Sequence, residues 1–206
     1  MMPIPPATFG LIVATTIAYI VQLGAGLGFV LNFALWPLGT PTDLAPGVAT
    51  ATFQPWQVVS YSFLHGSFTH LFLNMFALYM FGSDLERLWG RRRYLTYWFA
   101  AVLAAAVTQL VVSASTGTYY PTVGASGGVF GLLLAYGINF PRRVIVLLIP
   151  PIPMPAWLFV FVYAGIELYL GVTGTQAGVA HFAHLGGMLG GWLVLRYWRR
   201  RAAFGR

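Results

Sequence analysis

The chain has 206 residues, 58% of them hydrophobic and only 7% charged, whereas soluble domains carry charge on roughly a quarter of their residues, so a soluble globular protein is excluded. The formal charge of +7 is carried by arginine alone, lysine being absent, and the arginines sit in short clusters beside apolar runs rather than interleaved with aromatics along a polar face, which excludes a nucleic-acid partner. Cysteine is absent too, which removes disulfides, thiolate catalysis and thiolate metal sites.

Residues Met1 to Pro6 lack the positive region of a signal peptide, so the apolar stretch behind them is expected to remain in the mature protein. A first membrane span is predicted from about residue 9 to 31, long enough for the roughly 20 residues a bilayer requires. Residues 36–62 then mix prolines with Trp36, Phe53 and Trp56, a composition suited to a loop at the membrane surface with short interfacial helices. A second span, about 69–85, ends in Glu86 and the arginines 87 and 91–93, and a third runs from 94 to about 113. The polar segment 115–122 leads into Gly124-Ala125-Ser126-Gly127-Gly128 and a short fourth span, 126–140, closed by Arg142 and Arg143. Pro150, Pro151, Pro153 and Pro155 forbid one straight helix, so a fifth span is predicted from about 155 to 172, with Pro155 in its first turn. After the glycine-bearing loop 171–178, a sixth span, about 180–197, stops in Arg199 to Arg201. The reading is an all-α integral membrane protein, a single six-span domain over 1–206.

The arginines test that reading, because each cluster follows span two, four or six and all therefore lie on one side. The positive-inside rule then puts both termini in the cytoplasm, and the expected location is a prokaryotic plasma membrane. Spans two, four and six accordingly enter from the outer face, and their first turns lie at similar depth. Those turns hold His70 and Asn74, stacked on one helix face; Ser126; and His181 and His184. Polar side chains in a bilayer default to the bundle interior, so Ser, His and Asn converge on one layer.

A serine needs a base to act as a nucleophile at neutral pH, and histidine is the candidate, since Asp84 and Glu86 lie at the cytoplasmic end and no carboxylate is expected at the histidines' depth. Close approach of the two helices requires small residues. The fourth span supplies Gly127 and Gly131, and the sixth supplies Gly187 and Gly191 one and two turns beyond His184. His184 is therefore preferred to His181, which sits a turn nearer the aqueous loop, where a histidine is easily solvated. Oxyanion donors would be His70, Asn74 and the backbone N–H of Ser126. No cofactor and no metal is needed.

These residues carry a resemblance. Trp56, His65, His70, Asn74, Gly82, Glu86, Gly90, the Gly124-Ala125-Ser126-Gly127 string and Ala183-His184-Leu185-Gly186-Gly187 together are similar to the rhomboid intramembrane proteases of the minimal six-span prokaryotic kind. The resemblance implies a rhomboid bundle with an interfacial first loop, Ser126 as nucleophile, His184 as general base, and His70 and Asn74 in the oxyanion site. It also implies a substrate, the transmembrane segment of another membrane protein, cut near the outer face after lateral entry beside span five. Two departures stand out: Gln57 follows Trp56 where family members often have arginine, and Phe130 stands where some relatives place a tyrosine against the catalytic histidine.

Other readings fit less well. A metal enzyme built on His65, His70, His181 and His184 lacks a His-Glu-x-x-His motif. An inactive scaffold would be expected to have lost Ser126 or His184. A transporter would show related halves or interrupted spans with ionisable pairs. His65 is expected to be a structural hydrogen-bonding group, and the span-five aromatics Trp157, Phe159 and Phe161 to face lipid or the membrane interface, with a gate as the lesser alternative. Glu167, inside the fifth span, is expected to be neutral or to face a polar partner, because an unpaired carboxylate there is costly.

Overall fold

The computed structural model describes residues 3–41, 51–146, 150–174 and 180–204. Its helices are α1 (Pro6–Ala25), α2 (Leu27–Phe33), α3 (Gln57–Ser60), α4 (Phe68–Ala77), α5 (Ser83–Trp89), α6 (Arg91–Thr116), α7 (Ser126–Asn139), α8 (Ala156–Thr173) and α9 (His181–Phe204). A 3-10 turn, Tyr61–Phe63, follows α3, and a π-helical turn, Leu78–Gly82, joins α4 to α5 in one rod. Three helices among the described residues, α1, α6 and α8, are long and apolar enough by themselves to cross a membrane. Parts of the first loop (42–50) and of the glycine-bearing loop (175–179) lie outside the described residues.

The helix expected over 9–31 is broken at Gly26, whose φ of 64° and ψ of −149° end α1 and start α2. Glycine adopts this backbone without strain, and no side-chain signal marks the break otherwise. The segment after α7 forms an antiparallel hairpin, β1 (Val144–Val146) with β2 (Pro153–Pro155), pairing Val144 with Pro155 and Val146 with Pro153. Pro155 is thus extended and stands just before α8 rather than inside its first turn.

Inside a bilayer, lipid is as apolar as leucine, so helices associate by close packing and hydrogen bonds rather than by hydrophobic burial. Helix α6 is the post on which this happens. Its buried residues Tyr94, Tyr97, Trp98, Ala101, Val102, Ala105 and Ala106 recur at helical spacing. A Cβ built on Gly127 would come 2.5 Å from that of Ala105, and one on Gly131 2.5 Å from that of Ala101. Gly186 and Gly190 of α9 abut Thr108 and Ala104 in the same way. Between α7 and α9 themselves the contact is backbone on backbone, a Cβ at Gly187 falling onto the carbonyl of Gly127. Gly191 faces the Tyr97 hydroxyl of α6 instead of α7, and that hydroxyl donates to the Gly131 carbonyl at 2.7 Å.

The arginine-bearing end is tied down by acids. Glu86, buried at the end of the α4–α5 rod, accepts from the N–H groups of Ala7 (2.8 Å) and Thr8 (2.7 Å) and from the Thr8 hydroxyl (2.8 Å), capping α1 from another helix. An anion at a helix N-terminus satisfies orphan donors and opposes the helix dipole. Asp84 pairs with Arg87 at 3.2 Å and with Arg143.

Candidate active site

Ser126 is the first residue of α7, and the chain leading to it is held on three sides. Leu35 and Thr122 exchange both backbone hydrogen bonds, at 3.0 and 2.9 Å. The Gly124 N–H donates to the Tyr61 carbonyl at 2.9 Å, while the Tyr61 hydroxyl reaches the Val102 carbonyl of α6 at 2.8 Å. The Ala125 N–H points to His65 Nε2 at 3.4 Å. His65 is fully buried, and its own backbone is clamped to α1 by Gln22, whose Nε2 donates to its carbonyl at 2.8 Å and whose Oε1 accepts its N–H at 3.1 Å. With the Gly124 and Ala125 amides so engaged, the Ser126 N–H stands at the head of a helix, ahead of the first intrahelical bond, with no hydrogen-bond partner among the described residues.

The structure brings Ser126 and His184 together: Ser126 Oγ lies 2.7 Å from His184 Nε2. Phe130, one turn along α7, stacks on the His184 ring at 4.4 Å between centroids and 5° between planes. A hydroxyl in that position donates to the imidazole and can lose its proton to it during attack on a carbonyl carbon.

His70 lies across Gly124 from Ser126. A Cβ at Gly124 would come 2.8 Å from His70 Cε1, 2.9 Å from its Nε2 and 3.6 Å from Ser126 Oγ, and the φ of +130° disfavours any side chain there in any case. Ser67 caps α4, accepting the His70 N–H at 3.1 Å, so the helix starts where His70 can lean over the serine. Asn74 is buried one turn on, with its Nδ2 donating to the His70 carbonyl at 2.9 Å. Both line a cavity of about 880 Å3 together with Ser126 and His184, its walls otherwise mainly apolar.

Two expectations fail here. His181 is not solvated: it is 5% exposed, and its Nδ1 lies 2.7 Å from Glu167 Oε2. A carboxylate does lie at the depth of the histidines, because the same Glu167 oxygen is 2.8 Å from His184 Nδ1. Position along the helix was the available signal. Glu167 is six residues, or about 9 Å at 1.5 Å per residue, before the end of α8, close to the level at which α9 begins. Phe159 also departs from expectation, buried against Phe81 and Tyr163, whereas Phe161 is exposed.

Glu167, His181 and His184 could be taken for a metal site. The separations of 2.7 and 2.8 Å are hydrogen-bond distances, shorter than the roughly 3.3 Å between neighbouring ligands of a tetrahedral zinc with bonds near 2.0 Å. The four histidines fall into two ring pairs, His65 with His70 and His181 with His184.

Gln57, which stands where members of the resembled family often have arginine, is fully buried. Its Oε1 accepts the N–H of Trp36 at 3.2 Å and of Gln54 at 3.1 Å, and its Nε2 donates to the Asn32 carbonyl at 3.2 Å. It knots the first loop to the end of α2 rather than merely anchoring the loop to the surface.

Comparison with known proteins gives a family model, described as the Rhomboid domain, matching residues 52–201. The chain is 30% identical over 150 residues to "Rhomboid protein 1, mitochondrial" of Saccharomyces cerevisiae, covering 66% of this chain and 41% of that protein. It is 30% identical over 146 residues to "Presenilin-associated rhomboid-like protein A, mitochondrial" of Danio rerio, covering 68% and 38%. Against "Rhomboid protease GluP" of Bacillus subtilis it is 28% identical over 141 residues, covering 68% and 25%. The chain thus spans about two fifths or less of the length of these curated relatives.

Proposed function

The chain belongs to the rhomboid family, and from that premise we propose that it is an intramembrane serine endopeptidase with Ser126 as nucleophile and His184 as general base. The observation that carries this reading is the 2.7 Å contact between Ser126 Oγ and His184 Nε2, both of which line a cavity about 880 Å3 in volume. The chain is an integral membrane protein, and it acts as a single six-span domain with its arginine-bearing ends, and both termini, on the cytoplasmic side. Its relatives' names include mitochondrial proteins and one from a bacterium.

In the first step Ser126 Oγ forms a bond to the scissile carbonyl carbon while its proton passes to His184 Nε2. Charge develops on the carbonyl oxygen, and the Ser126 N–H, Asn74 and His70 are placed around the cavity to receive it. One such donor is worth about 3 kcal/mol. The C–N bond then breaks, the proton on Nε2 goes to the leaving amine, and the acyl group remains on Ser126 until water, deprotonated by the same nitrogen, releases it. The substrate is the transmembrane segment of another membrane protein, entering laterally beside α8 and cut near the outer face.

The deciding experiment is cleavage of a generic transmembrane substrate together with fluorophosphonate labelling. Wild type is expected to cleave and to label, Ser126→Ala to do neither while still inserting and folding, and His184→Ala to be inactive and unlabelled. Cleavage by Ser126→Ala would end the serine-protease reading.

A further inference from the structure

Glu167 has no part in a two-residue serine–histidine mechanism, yet it is a buried acid on an otherwise apolar helix, in contact with the base. Such a group is costly to retain without a task or a full set of partners. Its Oε2 is shared by two imidazoles, His184 Nδ1 at 2.8 Å and His181 Nδ1 at 2.7 Å. We propose that Glu167 is a positioning residue for the base, so that Ser126, His184 and Glu167 act as a three-membered relay in which His181 holds the carboxylate in place; this rests on the serine-protease reading above.

The argument is one of valence. An ionised carboxylate only accepts hydrogen bonds, so an imidazole nitrogen facing it at this distance carries the proton. With Nδ1 of His184 protonated toward Glu167, its Nε2 presents a lone pair to Ser126 Oγ, which is the tautomer a general base requires. When Nε2 takes the serine proton the ring becomes a cation, and the adjacent buried anion balances it; the proton on Nδ1 stays where it is throughout. His181 supplies the second N–H to the same oxygen, which prevents the acid from turning away toward the cavity. Phe130 covers one face of the His184 ring. The other titratable groups facing this cluster are Tyr163, on the same helix as Glu167, and His70, across the cavity on α4.

The test is a steady-state comparison of wild type, Glu167→Gln, Glu167→Asp and His181→Ala on one transmembrane substrate, with fluorophosphonate labelling rates and melting in detergent measured on the same preparations. Glu167→Gln conserves shape but lacks the charge. It is expected to lower kcat and the labelling rate by about 100-fold or more, with KM changed by less than about threefold, because the residue touches the base and not the substrate. Glu167→Asp keeps the charge on a shorter arm and is expected to recover at least about tenfold of that loss. His181→Ala is expected to keep kcat within about tenfold of wild type, since the relay survives with its acid less firmly held. A Glu167→Gln enzyme with wild-type kcat and labelling overturns the relay. So does a loss that tracks the melting temperature, with Glu167→Asp no better than Glu167→Gln, since that pattern belongs to a structural role. Failure of the wild type to cleave or label would instead strike the serine-protease reading itself, and the Ser126→Ala control separates the two.

Discussion

The aromatic ring of Phe130 lies flat on that of His184, 4.4 Å between centroids and 5° between planes, one helical turn from the serine that His184 contacts. Because Phe130 and Ser126 share α7, the distance from nucleophile to base is set partly by the helix that carries the nucleophile. Phe130→Ala is expected to free the imidazole and lower kcat by about tenfold or more, as small misplacements of a catalytic group do. Phe130→Tyr keeps the ring and is expected to stay within about threefold of wild type. Steady-state cleavage assays on both variants check this, and a fully active Phe130→Ala would show that α9 alone positions the base.

Gly187 is the residue through which α9 reaches α7. A methyl group there would land on the Gly127 carbonyl, and neither backbone can yield without moving a helix. Gly187→Ala is therefore expected to separate Ser126 from His184 and to destabilise the bundle by about 1–3 kcal/mol, the usual cost of overpacking. Melting in detergent and the fluorophosphonate labelling rate should fall together. Unchanged labelling would mean that the two helices need not touch for the pair to form.

His70 and Asn74 line the cavity that holds Ser126, and among the described residues the hydrogen bond of its hydroxyl goes to His184 instead. His70→Ala or Asn74→Ala is expected to lower kcat by about 10- to 100-fold with little change in melting, since each removes one donor to the oxyanion and leaves the Ser126 N–H in place. If both variants cleave at the wild-type rate, the oxyanion assignment fails.

Gln57 is fully buried and uses both ends of its amide to join Asn32, Trp36 and Gln54. An arginine has no acceptor to offer the Trp36 and Gln54 amides and brings a charge that no described neighbour balances. The variant is expected to lose about 2 kcal/mol or more of stability, read as a lower melting temperature, with activity falling through the loop that borders the site. An equally stable Gln57→Arg would show that the loop can open a pocket for the longer side chain.

Much of this protein was legible before its structure was known, for a physical reason. In a bilayer a polar side chain is informative wherever it occurs, so Ser126, His70, Asn74 and His184 announced themselves by depth alone, and the glycines of α7 and α9 marked the faces that could approach. The arginines carry the proposed orientation because their placement depends on sequence near each span and not on packing. What only the tertiary structure decided was rotation and pairing between elements distant in the chain. Helix α8 is apolar around most of its circumference, so its sequence carries no periodic signal for which face turns inward, and the meeting of Glu167 with His181 and His184 depended on that rotation. Gly191 likewise belongs to the right helix but meets Tyr97 of α6 rather than α7, because at this level the Tyr97 hydroxyl reaches in to the Gly131 carbonyl. Gln57 shows the same limit in a loop. Its three hydrogen-bond partners lie among residues 32–54, and only the folded path of that segment makes it an interior residue rather than a surface one.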